Sequence, residues 1–336
     1  MKILILGGTA FLSAATAREA VARGHRVTCL ARGTSGRPPE GATWVRADRD
    51  QGPDAYLEVA DDWDAVIDVG RQPEQIRQAL AALGERTRHW TFVSTVSVYR
   101  DDATPDQDES APLHPALAAG SFTDPEDYGP AKVSCEQAVI EAVGPRAHIS
   151  RAGLIIGRGD VSDRFGYWPA RFARGGEVLV PDTPTAATQV IDVDDLAAWL
   201  LDAAESGATG ILNSVGDPAP LRQVLDTVSA VAGDHDRQVP VDPAFLVDHQ
   251  VGYWAGPNSL PLWLPEDYRG FGNRSNTAAR AAGMQLRPLA DSAHSALSYE
   301  VQLGIDRDRR AGLMPDVERR LLAAWVRRGQ QPADGS

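Results

Sequence analysis

Short apolar runs alternate with segments of helical periodicity along the first 150 residues of the chain. Residues 3–6 form a continuous apolar run, which is typical of a strand buried on both faces of a parallel sheet. Glycines follow, and then a helical segment at about 11–23 that Gly24 can end. Further strands are predicted at 27–30, 44–46, 65–69, 90–94 and 148–151, and further helices at 73–83 and 128–143. This alternation predicts an α/β fold built on a doubly wound parallel sheet.

The hydrophobic pattern becomes less regular beyond residue 157. A proline-rich stretch, 239–272, predicts loops and short helices. The remaining predicted elements are a short strand at 178–180 and helices at about 168–174, 193–205, 221–232 and 315–328. We therefore expect a first domain at 1–157 to which 186–216 return, a smaller C-terminal region at 158–185 and 217–329, and a tail at 330–336.

Composition and charge narrow the class of protein. Of the 336 residues, 43% are hydrophobic and 24% are charged, a balance typical of soluble globular proteins. The net charge of -13 argues against a nucleic-acid partner and against binding to an anionic membrane. No apolar run is long enough to span a bilayer, and the N-terminus lacks the layout of a signal peptide. Cys29 and Cys135 give no disulfide framework and the histidines are scattered, so we predict a cytoplasmic protein without a metal site.

A glycine turn follows the first predicted strand and opens the first predicted helix. In that position backbone N–H groups and the helix N-terminus can bind a pyrophosphate. The spacing G-x-x-A-x-x-S departs from the usual three glycines, and a turn with two glycines is often only a turn. The order strand, turn, helix, strand favours dinucleotide binding. The candidate residues are Gly7, Thr9, Ala10, Phe11 and Leu12.

The end of the second predicted strand bears on the choice of cofactor. An acidic residue there would bind the adenosine ribose hydroxyls and repel a 2′-phosphate. Arg32 stands there instead, which favours a bidentate contact to the 2′-phosphate of NADP. The alternative is a solvent-facing arginine, with NAD as the cofactor. Further candidates follow the third and fourth strands, where the chain would pass the adenine, phosphates and ribose: Asp48, Arg49, Val69, Gly70 and Arg71.

Tyr128 and Lys132 have the spacing Tyr-x-x-x-Lys at the start of a long predicted helix. Residues i and i+4 share a helical face, so the phenol and the ammonium can act on one site. A free phenol has a pKa of about 10, and a nearby positive charge favours its ionised form. Lys132 is one of only two lysines among 33 basic residues. The pair is therefore a candidate for general acid–base chemistry.

Thr95 stands at the carboxyl end of the fifth predicted strand, within Val-Ser-Thr-Val-Ser-Val-Tyr at 93–99. Ligands of open α/β sheets bind at such strand ends. The Thr95 hydroxyl could polarise a substrate oxygen that Tyr128 protonates or deprotonates. The alternative is that the hydroxyl groups only cap the end of the strand. The acidic, proline-rich segment 101–127 between the two motifs is typical of a mobile loop beside an active site.

These motifs together resemble the extended short-chain dehydrogenases/reductases of the NAD-dependent epimerase/dehydratase family, in an atypical branch with a Gly-Gly-Thr-x-Phe start. The likeness extends over the whole chain and includes Glu136, four residues after the lysine, and Arg151 before Leu-Ile-Ile-Gly. It implies that Thr95, Tyr128 and Lys132 form a catalytic triad. It also implies a homodimer packed through helices 73–83 and 128–143. Nucleotide-sugar dehydratases carry an acid just after the catalytic Thr or Ser, where this chain has Val96 and Ser97, so dehydration is disfavoured.

The sequence thus predicts an NAD(P)-dependent oxidoreductase acting on a small molecule. Hydride would pass between the nicotinamide and a carbinol or carbonyl carbon, with Tyr128 as the acid/base. Residues 1–157 would bind the dinucleotide, and the smaller region would bind the substrate. Two alternatives stay open: a nucleotide-sugar 4-epimerase that retains NAD, and a non-catalytic relative that binds a nucleotide or RNA.

Overall fold

The computed structural model describes residues 1–118 and 122–330. Its strands are β1 (Lys2–Leu6), β2 (Arg26–Leu30), β3 (Thr43–Val45), β4 (Trp63–Asp68), β5 (Thr87–Thr95), β6 (Ala147–Ala152), β7 (Leu154–Ile156), β8 (Gly176–Pro181), β9 (Ala187–Thr188), β10 (Val190–Asp192), β11 (Gly210–Ser214), β12 (Ala219–Pro220), β13 (Asp236–Val241), β14 (Gly252–Trp254) and β15 (Ser259–Pro261). Its helices are α1 (Phe11–Ala22), α2 (Pro73–Leu83), α3 (Tyr128–Val143), α4 (Tyr167–Ala173), α5 (Val193–Ser206), α6 (Leu221–Val231), α7 (Pro243–Asp248), α8 (Thr277–Ala281), α9 (Leu289–Leu303) and α10 (Pro315–Gln330).

Seven strands form one parallel sheet in the order β11-β6-β5-β4-β1-β2-β3. This confirms the predicted doubly wound parallel sheet of the Rossmann type. The strand order reverses beside β1, which pairs with β2 on one side and β4 on the other. Ligands of open α/β sheets bind in the crevice at the carboxyl ends of the strands at such a reversal. In register, Leu6 lies opposite both Leu30 and Asp68, so the chain segments that follow these three residues share that crevice.

Alternate residues of β1 enter two different cores, as expected for a strand covered on both faces. Ile3 and Ile5 pack in the core that contains α1 and α5. Leu4 and Leu6 pack in the core that contains α2 and α3. All four side chains are 0–1% exposed. The continuous apolar run in the sequence therefore reflects helices on both faces of the sheet.

The described chain divides into two compact units. The first contains residues 1–155, 189–217 and 270–286. The second contains 156–188, 218–269 and the chain from 287 onward, and includes the parallel pair β8 and β13. Within the second unit, a buried ion pair ties α4 to α10, because Arg171 Nε lies 2.6 Å from Glu318 Oε2. None of the helices in the described residues is both long and apolar enough to cross a membrane.

Several elements differ from their sequence predictions. The strand β11, the helix α9 and most of β13 are present where no regular element is predicted. Residues 270–286, assigned from the sequence to the smaller region, pack with the first unit. Of the expected tail, Gln330 is the last residue of α10, and 331–336 lie outside the described residues.

Candidate active site

A groove of about 590 Å³ lies at the carboxyl ends of the central strands in the first unit. The glycine turn after β1, the end of β2, and the segments after β3 and β4 line it. Of the candidates for cofactor binding, this groove collects Gly7, Thr9, Ala10, Arg32, Asp48, Arg49, Val69, Gly70 and Arg71. It is the place where the strand order predicts a dinucleotide.

The glycine turn requires its glycines and offers N–H groups to an anion. Gly7 and Gly8 have φ values of 138° and 105°. A Cβ on Gly8 would lie 2.4 Å from the Sγ of Cys29, so no larger residue fits there. Ala10 is the N-cap of α1 and has no side-chain acceptor, so the first-turn N–H groups are not capped by it. The residues present therefore fit a pyrophosphate at this helix terminus.

The Arg32 side chain lies at the edge of the groove and is 55% exposed. Its Nη1 is 3.6 Å from Asp50 Oδ2 and 3.9 Å from Asp48 Oδ1. These separations are loose, and exposed pairs of this kind contribute little to stability. The arginine could therefore turn toward a ligand phosphate, with two carboxylates close beside it.

Arg49 lines the groove, and its guanidinium forms an ion pair with Asp68, a buried residue at the end of β4. Nη1 and Nη2 donate to the two carboxylate oxygens at 2.8 and 2.9 Å, and Nε donates to Tyr56 Oη at 2.9 Å. Burial opposes the charge of Arg49, yet the Asp68 carboxylate holds its pKa above the ordinary value. The structure thus places Arg49 in a buried ion pair, where the sequence suggested a contact to adenine.

Asp68 is not among the site residues predicted from the sequence. Its Oδ1 also accepts a hydrogen bond from Gly70 N at 2.8 Å, which fixes the turn after β4. A Cβ on Gly70 would lie 2.7 Å from Ile76 Cδ1 and 2.9 Å from that same oxygen. The available signal was an acidic residue at the end of an apolar strand, since such a side chain needs a buried partner.

A second cavity, of about 430 Å³, adjoins the groove, and both are lined by Ala10, Ser13, Val69 and Arg71. Thr95, Tyr128 and Lys132 line this cavity, together with Phe11 and Leu12 of α1. The structure therefore brings together the three residues predicted to be catalytic, next to the predicted cofactor groove.

Lys132 is 2% exposed and is fixed by two backbone carbonyls. Its Nζ donates to Gly70 O at 3.0 Å and to Val93 O at 2.5 Å, and lies 4.1 Å from the centre of the Phe92 ring. Burial lowers its pKa to about 8, while the negative charges of Asp68 and Glu136 act in the opposite direction. The ammonium is therefore poised to lose its proton at mildly alkaline pH.

Thr95 and Tyr128 are placed by the ends of two elements. The Thr95 Oγ1 accepts from Ser97 N at 3.2 Å, so it caps the turn after β5 while it lines the cavity. Tyr128 is the first residue of α3, and its ring centre lies 6.0 Å from that of Phe122. Among the described residues no group of three His, Cys, Asp or Glu side chains could hold a metal ion.

A parallel sheet with a glycine turn, a groove at the strand reversal and a Tyr-x-x-x-Lys helix defines the extended short-chain dehydrogenase/reductase class. The chain belongs to the NAD dependent epimerase/dehydratase family, whose profile matches residues 3–215. It is accordingly an NAD-dependent enzyme.

Proteins similar to the chain agree with this assignment. Epimerase family protein SDR39U1 of Bos taurus is 26% identical over an alignment of 234 residues that covers 64% of this chain and 74% of that protein. The Homo sapiens protein of that name is 26% identical over an alignment of 254 residues that covers 69% of this chain and 81% of that protein. Among solved structures, the UDP-N-acetylglucosamine 4-epimerase from Bacillus cereus is 15% identical with a TM-score of 0.66, over 92% of this chain and 98% of that one. At 15% identity, this structural similarity is evidence for the fold alone.

Proposed function

We propose that the chain is an NAD(P)-dependent oxidoreductase that transfers hydride between the nicotinamide and a carbinol or carbonyl carbon of a small molecule. The observation that carries this proposal is the cavity in which Thr95, Tyr128 and Lys132 meet beside the cofactor groove. A non-catalytic role would not require a phenol, an ammonium and a hydroxyl around one cavity.

The bound cofactor would supply or accept the hydride at its nicotinamide ring. Tyr128 would give a proton to the substrate oxygen during reduction and take it back during oxidation. The Thr95 hydroxyl would hydrogen-bond the same oxygen and orient it. The Lys132 ammonium would stabilise the phenolate, and its remaining N–H could reach a ribose hydroxyl. Gly7 and the first turn of α1 would hold the pyrophosphate.

We further propose NADP as the preferred cofactor, with Arg32 as the ligand of the 2′-phosphate. Its exposed guanidinium and its loose pairs with Asp48 and Asp50 support this role. The chain would still accept NAD, because the two carboxylates can interact with ribose hydroxyls when Arg32 turns away.

A nucleotide-sugar 4-epimerase with retained NAD is the second candidate. The observation in its favour is that a UDP-N-acetylglucosamine 4-epimerase and a UDP-glucose 4-epimerase share this fold. Such an enzyme would use the same three side chains but return the hydride to the substrate.

Cofactor stoichiometry separates the two candidates. We expect the purified protein to carry little cofactor and to consume added NADPH steadily with a carbonyl probe such as phenanthrenequinone. Near-stoichiometric NAD on purification, with interconversion of UDP-glucose and UDP-galactose and no net consumption of cofactor, would overturn the oxidoreductase proposal in favour of the epimerase.

We also propose a cytoplasmic homodimer. The free, buried thiols of Cys29 and Cys135 support a reducing compartment. The helices α2 and α3 cover the same face of the sheet, and Ile140 of α3 is 43% exposed. These features support a dimer interface on that pair of helices.

A further inference from the structure

A buried carboxylate lies two helical turns after Tyr128 and one turn after Lys132. This residue, Glu136 of α3, is 2% exposed. Arg151 of β6 binds it with both arms of the guanidinium, Nε to Oε1 at 3.0 Å and Nη2 to Oε2 at 2.7 Å. Ser94 of β5 donates to Oε1 at 2.5 Å. All the strong contacts of this carboxylate therefore come from the two strands beneath α3.

The partners of Glu136 are themselves fixed. Ser94 and Arg151 are opposite each other in the β5–β6 ladder, and Ser94 directly precedes Thr95. Arg151 Nη1 also donates to Tyr99 Oη at 3.0 Å, and that hydroxyl donates to Asn213 Oδ1 at 2.6 Å. The cluster thus connects α3, the end of β5 and the turn that follows it.

Stability alone is a weak explanation for this cluster. A buried ion pair costs desolvation, and apolar residues of similar volume are often neutral or better for folding. Glu136 also lies within electrostatic reach of Lys132, whose other charged or ionisable neighbours are Asp68 and Arg71 from the β4 side and Cys135 on α3. Of these, Glu136 is the residue whose side chain is hydrogen-bonded to the strand that carries Thr95, through Ser94.

We propose that Glu136, held by Arg151 and Ser94, is a positioning residue for the Tyr128–Lys132 pair. It fixes the rotation of α3 relative to Thr95, with its carboxylate paired to Arg151 behind the pair. This inference rests on the proposed roles of Tyr128 and Lys132, and it adds a residue that touches neither substrate nor cofactor.

The charge can be tested without knowing the substrate. The tyrosinate absorbance of the NADP⁺-loaded protein is titrated with pH, and subtraction of the Tyr128→Phe titration isolates Tyr128. In Glu136→Gln the charge of Arg151 is no longer balanced by a carboxylate, and this added positive potential favours the phenolate, so we expect the midpoint to fall by about one pH unit. The matched control is Glu141→Gln, which removes an exposed charge from the same helix and should leave the midpoint in place because water and salt screen it.

The orientation is tested by kinetics with phenanthrenequinone and NADPH. In Ser94→Ala, which leaves the ion pair intact, we expect kcat to fall several-fold while the KM for NADPH stays unchanged. If Glu136→Gln does not fold, the kcat of Ser94→Ala decides the positioning role by itself.

The outcomes separate this inference from the proposed function. An unchanged Tyr128 midpoint in folded Glu136→Gln, or an unchanged kcat in Ser94→Ala, overturns the positioning role. If Tyr128→Phe is inactive while these variants behave as wild type, the oxidoreductase proposal stands and only the inference on Glu136 fails. If Tyr128→Phe is fully active, both fail.

Discussion

Lys132 shows why one position kept a lysine in a chain whose other basic residues are nearly all arginine. Its Nζ fits between the carbonyls of Gly70 and Val93 and above the Phe92 ring, and the side chain is 2% exposed. A compact ammonium satisfies that geometry, whereas a planar guanidinium has five N–H donors and a larger volume. The geometry of this site therefore accounts for a lysine at position 132 in a chain that otherwise uses arginine.

The variant Lys132→Arg should therefore lose most of the activity, by about 100-fold or more in kcat. The other lysine gives the control, because Lys2 pairs with Asp61 at a partly exposed position and Lys2→Arg should keep wild-type turnover. Both variants are compared in NADPH consumption with phenanthrenequinone. Near-normal turnover of Lys132→Arg would remove the argument for a compact ammonium.

The proposed preference for NADP depends on Arg32. In Arg32→Ala we expect the KM for NADP to rise about tenfold or more, since a charge-assisted contact is worth about 1.5–3 kcal/mol, with little change for NAD. Asp50→Asn should shift preference further toward NADP, because it removes a carboxylate 3.6 Å from the guanidinium. Arg37 is exposed and does not line the groove, so Arg37→Ala is the control. A KM for NADP that does not move in Arg32→Ala contradicts the assignment.

The neighbouring strands β5 and β6 carry two buried histidines. The rings of His89 and His148 are 6.3 Å apart, and His148 meets Trp199 of α5 edge-on at 5.5 Å. Burial lowers the pKa of His89 to about 4 and that of His148 to about 3. In the unfolded chain both would bind a proton below about pH 6.5. The folded state thus excludes two protons that the unfolded state accepts.

This difference predicts acid instability. The contribution of the two histidines to the free energy of unfolding should be flat above pH 6.5 and then fall by about 1.4 kcal/mol per pH unit for each histidine as the pH drops toward the folded pKa values. Denaturant unfolding at pH 7, 6 and 5 measures the slope. His148→Leu should remove about half of it, while His294→Leu, at an exposed position, should leave it unchanged. An equal slope in His148→Leu and wild type would contradict the prediction.

The strength of the sequence pattern explains which elements could be predicted. The helices α2 and α3 were predicted with the bounds that the structure shows; α2 begins at a proline, and its buried residues Ile76, Leu80 and Leu83 lie at helical spacing. The strand β11 was missed because it lies at the sheet edge and only its last two residues are buried. The helix α9 was missed because only four of its fifteen residues are buried and all four are small or polar, so the apolar stripe is faint.

At the scale of the whole molecule, the sequence predicted the parallel sheet and the candidate residues on each side of its strand reversal. Pairs distant along the chain were not predicted. Arg49 and Asp68 are 19 positions apart and Glu136 and Arg151 are 15 apart, and each pair meets only once the sheet has formed. A single sequence shows periodicity along the chain, but it does not show which buried charge neutralises which.

The proposed dimer belongs to the same scale. Light scattering on the purified chain should give twice the mass of 36.0 kDa. Ile140→Arg should lower that mass to the monomer, because it places a charge on the exposed face of α3. Val301→Arg alters an exposed apolar residue of α9, in the second unit, and should leave the dimer intact. A wild-type monomer, or dissociation by Val301→Arg alone, would exclude this interface.

In the proposed mechanism, Tyr128 performs the proton transfer that accompanies hydride transfer. The most direct measurement is NADPH-dependent turnover of phenanthrenequinone by Tyr128→Phe, with NADPH affinity measured in parallel and the exposed Tyr268→Phe as control. The account predicts that kcat falls by about 10²–10⁴ in Tyr128→Phe, with cofactor affinity retained and the control unaffected. Turnover by Tyr128→Phe within a few-fold of wild type would contradict the account.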